Sequence, residues 1–136
     1  MPVKRAATTM LVAAGLFTLL TAACGGGGGG GGSGNSVTVT APAGGGTPSV
    51  TIDAHDIYFA PKSITAPAGK LDIRYVEQGS QQHTLVIDGV SGFKLQVGPG
   101  GKDATGTVTL KAGDYTYYCT IPGHRAQGMQ GTITVS

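Results

Sequence analysis

From Pro48 onward, apolar and polar residues alternate in short runs separated by turn-forming residues, the pattern of strands half-buried in a sheet. Val50 and Ile52 begin it. Leu71, Ile73 and Tyr75 share one face of a strand, His83, Leu85 and Ile87 one face of a second, and Phe93, Leu95 and Val97 one face of a third. Asp88-Gly89 marks a turn between the last two. Val108 and Leu110, then Tyr115, Tyr117 and Cys119, then Met129, Gly131, Ile133 and Val135 continue the period of two. No stretch after residue 48 carries a helical period. The pattern predicts an all-β domain over 48–136, an antiparallel sandwich or barrel.

The chain ahead of that domain has a different composition. Residues 1–23 hold Lys4 and Arg5, an apolar run from Met10 to Leu20, then small residues, which together read as a signal peptide. The run is too short for a membrane span. Residues 24–47 are a cysteine followed by Gly, Ser, Thr, Pro and Ala, with Val37 and Val39 as the only large apolar side chains. Such a stretch buries too little to offset its ordering entropy, so it reads as a flexible tether with a reach of roughly 25 to 30 Å. The alternation Val37-Thr38-Val39-Thr40 is the one place in it where a short edge strand fits.

Cys24 follows Leu20-Thr21-Ala22-Ala23 and precedes an unbroken glycine run, which resembles a bacterial lipoprotein cleavage site. That resemblance makes Cys24 the lipidation site and the chain lipid-anchored to the bacterial cell membrane on its extracytoplasmic side. Leu20 stands one residue further from the cysteine than such sites usually place it, with Thr21 in between. The other reading is ordinary cleavage after Ala23, which leaves a secreted or periplasmic soluble domain with a free thiol on its tail.

Charge excludes one class of partner. Lys4 and Arg5 leave with the signal, so the nine basic residues fall to seven, against seven acidic ones. No basic stripe remains for nucleic acid or for strong attraction to anionic lipid.

The chemistry is concentrated near the C-terminus. Four residues separate Cys119 from His124, and four more separate His124 from Met129. A thiolate, an imidazole and a thioether within one loop, joined by a second imidazole, form the donor set that selects copper and cycles it between Cu(II) and Cu(I). His83 supplies that second imidazole. It lies in step with Leu85 and Ile87, as Cys119 does with Tyr115 and Tyr117, so both donors point inward at one end of the sandwich. Pro122-Gly123 turns the chain just before His124. A buried core thiol, a surface histidine and a core methionine are the plain alternatives for Cys119, His124 and Met129. Their joint occurrence in one loop favours a metal. His55, between Asp53-Ala54 and Asp56, reads as a surface histidine paired with Asp53 or Asp56, and the basic residues, Arg125 included, as solvated.

Tyr117-Tyr118-Cys119, Ile121-Pro122-Gly123-His124 and Gly128-Met129-Gln130-Gly131 together resemble the copper loop of the cupredoxins, the plastocyanin-like superfamily of type 1 blue copper proteins. Upstream, Phe59-Ala60-Pro61, Ile64-Thr65-Ala66-Pro67-Ala68-Gly69 and His83-Thr84-Leu85 follow in that family's order. The spacing of the loop is most similar to the rusticyanin, sulfocyanin and auracyanin branch. The resemblance implies a Greek-key antiparallel β-sandwich and one copper ion per chain. It also implies a trigonal plane of His83, Cys119 and His124 with Met129 on the axis, and an electron that leaves through His124.

The sequence itself weighs against other copper and cysteine chemistries. A binuclear copper centre needs two bridging cysteines, and the domain has one. Copper oxidases and nitrite reductases link the blue site to a catalytic copper through a histidine beside the cysteine, whereas here the neighbours are Tyr118 and Thr120. Three histidines cannot furnish a trinuclear cluster as well. A Cys–His nucleophile would lack an orienting carboxylate in the loop, and zinc would not call for the methionine. The expectation is therefore a monomeric electron carrier, not an enzyme, meeting transient redox protein partners at the membrane. A copper storage or delivery protein is the alternative, though that role generally uses more exchangeable sulfurs than one cysteine and one methionine.

Overall fold

The computed structural model describes residues 35–136. Ten strands run through them: β1 (Ser36–Thr38), β2 (Ser49–His55), β3 (Tyr58–Ala60), β4 (Ser63–Ala66), β5 (Gly69–Glu77), β6 (His83–Ile87), β7 (Lys94–Val97), β8 (Ala104–Leu110), β9 (Gly113–Tyr118) and β10 (Gln130–Val135). They form a six-stranded sheet in the order β1-β4-β10-β9-β6-β7 and a four-stranded sheet in the order β3-β2-β5-β8. The all-β sandwich expected from the alternation is therefore the observed architecture.

Both sheets are mixed. β9 pairs antiparallel with β10 and β6, β6 with β7, β2 with β3, and β5 with β8. β4 lies parallel to β1 and β10, and β2 lies parallel to β5. The parallel pairs are possible because their strands are distant in sequence and joined by long crossings over the sandwich, whereas neighbours joined by tight turns must run antiparallel. β1 falls within the glycine-rich stretch, at Val37-Thr38, and Val39 just beyond it is buried in the core.

Side chains alternate across the strands as the sequence requires. Leu71, Ile73 and Tyr75 of β5, Leu85 and Ile87 of β6, and Ile133 and Val135 of β10 all point into the space between the sheets. Each buried aliphatic side chain contributes about 1.5 to 3 kcal/mol. Phe59, Tyr75 and Tyr117 form an aromatic cluster, with Phe59 edge-on to Tyr75 at 6.1 Å and tilted against Tyr117 at 5.4 Å. The two tyrosine hydroxyls are satisfied. Tyr75 donates to the Thr84 carbonyl at 3.3 Å, and Tyr117 donates to the Pro61 carbonyl.

Gly131 explains how β10 lies so close to β9. It pairs with Tyr117, and a Cβ there would strike the Tyr117 ring and the Lys62 carbonyl oxygen. The ring lies over the glycine and fills the space that a side chain would take.

Candidate metal centre

Three strand ends meet at one end of the six-stranded sheet. Cys119 is the first residue after β9, His83 is the first residue of β6, and the loop from Thr120 to Met129 closes back onto β10. The loop is tied to itself by its backbone. The Cys119 N–H donates to the Met129 carbonyl at 3.1 Å, and the Met129 N–H donates to the His124 carbonyl at 3.0 Å. Ile121-Pro122-Gly123-His124 forms a β-turn closed by the His124 N–H on the Ile121 carbonyl at 3.1 Å. Gly123 sits at φ 85°, the conformation a type II turn demands at that position, and Pro122 presets the one before it.

This backbone brings the expected residues together. His83 Nδ1 lies 3.2 Å from His124 Nδ1, and Cys119 Sγ lies 3.7 Å from the same nitrogen. One donor atom from each of the three residues lies within 4.8 Å of the other two. Donors about 2.0 to 2.3 Å from a shared ion stand roughly 3 to 4 Å apart, so these spacings fit a single metal. His83, Cys119 and Met129 are buried, while His124 is half-buried at the surface.

The surroundings favour the neutral imidazole at His83. Burial lowers the pKa of His83 below the ordinary imidazole value, the nearby His124 lowers it further, and Asp56 pulls weakly the other way. The Thr84 N–H points at Cys119 Sγ at 3.5 Å, and the Thr84 hydroxyl lies 3.6 Å from the same sulfur. The Thr84 hydroxyl also accepts the Thr120 N–H at 2.8 Å and lies 2.8 Å from the Thr120 hydroxyl. One side chain thus links the start of β6 to the loop from Thr120 to Met129.

Other expectations need correction. Arg125 is exposed but not free: its guanidinium lies 3.9 Å from the centroid of Tyr118, and its Nε donates to Gln130 Oε1 at 3.2 Å. His55 lies outside the donor cluster and stacks on Tyr58, with centroids 4.4 Å apart, rather than pairing with an aspartate. Aromatic stacking is invisible to a reading that looks only for charge partners.

Sequence reasoning also missed the carboxylates behind His83. Asp56, Glu77 and His83 each offer an atom within 4.8 Å of the other two. Asp56 Oδ1 accepts the Ser80 N–H at 2.6 Å, and both its oxygens face the Ser80 hydroxyl, which holds its pKa below the usual carboxylate value. Burial raises the Glu77 pKa, against the Gly79 N–H that donates to Oε1 at 2.7 Å. No motif marked either residue, because the two come from a turn and a strand end far apart in sequence. Cys24 and the signal segment lie outside the described residues.

A family model for copper binding proteins, the plastocyanin/azurin family, matches residues 46–136. Plastocyanin from Prochlorothrix hollandica is 33% identical over 107 residues, 70% of this chain and 77% of that protein. Plastocyanin from Nostoc punctiforme is 35% identical over 91 residues, 57% of this chain and 63% of the relative, so this chain spans less than two thirds of that protein. Among solved structures, dithionite-reduced auracyanin from the photosynthetic bacterium Roseiflexus castenholzii superposes with a TM-score of 0.58 at 24% identity, covering 65% of this chain and 96% of that one. At that identity the likeness carries the fold, and the neighbour is of the branch that the loop spacing resembles.

Proposed function

The chain belongs to the plastocyanin/azurin family of copper binding proteins, and we propose that it works as a one-electron carrier between extracytoplasmic redox partners, tethered to the membrane by lipid on Cys24. Copper is its cofactor. Bound copper supplies the Cu(II)/Cu(I) couple, and the chain supplies the environment. His83, Cys119 and His124 would hold the ion, with Met129 as a fourth, softer donor.

The observation that carries this reading is the convergence of His83 Nδ1, Cys119 Sγ and His124 Nδ1 on one point at the end of the sandwich. The apolar core holds the sheet ends whether or not metal is present, so the donors are organised in advance of the ion. Burial of His83, Cys119 and Met129 excludes water and slows ligand exchange, which favours a carrier that keeps its copper over a protein that hands it on. His124 is half-buried, and Pro122, Gly123 and Ala126 beside it are exposed. A small apolar patch of that kind suits brief encounters with redox proteins.

The test is a titration of the full chain with Cu(II). An intense blue thiolate-to-copper band that saturates at one equivalent is the expected result, and a colourless complex would overturn the reading. For the tether, Cys24→Ala should move the chain from the membrane to the soluble fraction or block its maturation. A correctly processed variant that stays on the membrane would exclude lipid on that residue.

A further inference from the structure

Two polar side-chain atoms among the described residues are buried without a hydrogen-bond partner: Nε2 of His83 and Oε2 of Glu77. Their residues belong to one cluster, in which Asp56, Glu77 and His83 each offer an atom within 4.8 Å of the others. Buried donors and acceptors are almost always paired, so two orphans in one cluster are best read as partners. The chemistry agrees. His83 Nδ1 faces His124, so a metal held there takes the Nδ1 lone pair and leaves Nε2 as an N–H donor that needs an acceptor.

Glu77 is the acceptor available. As the last residue of β5, opposite Ala54 on β2, it is half-buried and fixed by the sheet. Its Oε1 is occupied by the Gly79 N–H, which leaves Oε2 free. Asp56 is exposed and engaged by the Ser80 amide and hydroxyl, so it braces the segment leading into β6.

Resting on the copper reading above, we propose that Glu77 is the positioning residue for His83. Its Oε2 receives the His83 Nε2–H, directly or through one water, and fixes the tautomer that presents Nδ1 to the metal. Its negative charge, one imidazole away from the ion, favours Cu(II) over Cu(I). A carboxylate behind a ligating imidazole also holds the ring against rotation when the ion changes charge.

The experiment compares the copper-loaded full chain with Glu77→Gln, which keeps an acceptor but loses the charge, and Glu77→Met, which loses both. Glu77→Gln should weaken Cu(II) relative to Cu(I) about tenfold, a rise in reduction potential of about 59 mV for a one-electron couple. Glu77→Met should weaken Cu(II) binding by about 10- to 100-fold. Nitrogen NMR of the Cu(I) form should show a protected His83 Nε2–H in the parent and in Glu77→Gln, and loss of that protection in Glu77→Met.

An unchanged potential in Glu77→Gln, or an unaltered Nε2–H signal in a folded Glu77→Met, would overturn the proposal. A second metal equivalent bound by the parent and lost in Glu77→Gln would also overturn it, because the carboxylate would then be a ligand. If Glu77→Met fails to fold, the potential of Glu77→Gln and the parent NMR signal decide. A blue band in the parent with an unmoved potential in the variants would refute the role of Glu77 alone, whereas a missing blue band would refute the copper reading itself.

Discussion

The Thr84 side chain holds Thr120 by two contacts at once, accepting its amide N–H at 2.8 Å and meeting its hydroxyl at 2.8 Å. β6 and β9 are paired only at Val86 with Tyr118 and Ile87 with Tyr117. Beyond that point the strands part, and the threonine hydroxyl continues the connection as far as Cys119.

Thr84→Val keeps the shape and removes the hydroxyl. The Thr120 N–H loses its acceptor, and the expected cost is about 1 kcal/mol of stability, the ordinary worth of one net hydrogen bond. Urea unfolding of the copper-free chain measures it, while the blue band should survive because the Thr84 backbone N–H still faces the sulfur. A midpoint equal to that of the parent would show that the clamp adds nothing to stability.

Gly131→Ala should be more damaging. The new Cβ would run into the Tyr117 ring on one side and the Lys62 carbonyl on the other, and both are held by the core and by β4. Overpacking of this kind costs about 1 to 3 kcal/mol. Pairing the substitution with Tyr117→Leu, which clears the ring, should recover part of the loss relative to Tyr117→Leu alone. Additive losses in the double variant would place the strain elsewhere.

The buried tyrosines set an alkaline limit. Burial raises the pKa of Tyr75, with further contributions from Cys119 and Glu77. A group whose pKa is raised by folding keeps its full contribution below its unfolded value, near 10 for tyrosine, and loses it as pH rises above that. Tyr75 should thus make unfolding easier by about 1.4 kcal/mol per pH unit above pH ~10. Urea midpoints for the parent and for Tyr75→Phe should converge as pH is raised through that window. Parallel pH profiles would exclude Tyr75 as the titrating group.

How far the sequence was readable depended on the kind of contact. Period-two alternation located the inward face of β5, β6, β9 and β10, because burial on one face leaves its mark on every second residue. The same alternation is blind to direction, so the parallel pairings of β2 and β4 had no signature. His83, Cys119, His124 and Met129 were legible because their residue types are uncommon and three of them share one loop. Thr84 was legible only through the family's order, as the residue after the first histidine; it lies on the polar parity of β6 and is buried because the loop at Thr120 covers it. Glu77 was not legible. Glu77 is one carboxylate among seven acidic residues, and only the folded chain brings it to the back of His83.

Met129 is fully buried, and its backbone is bonded to both Cys119 and His124, so a substitution at its side chain leaves the loop frame in place. A thioether is soft and favours Cu(I), whereas an amide oxygen is harder and favours Cu(II). Under the proposed reading of Met129 as fourth donor, Met129→Gln is of similar length and would put that oxygen in the thioether's place. The variant should bind copper, keep an intense thiolate band, and show a lower reduction potential. A tenfold gain for Cu(II) over Cu(I) corresponds to about 59 mV, and a fall of at least that size is expected. The amide must be accommodated in an apolar setting, so the copper-free variant should also lose about 1 to 3 kcal/mol of stability. Voltammetry at fixed pH, on protein whose copper content is measured, separates the two effects. If stability falls but the potential stays where it was, Met129 is a core residue alone, and the potential is set by His83, Cys119, His124 and the groups behind them.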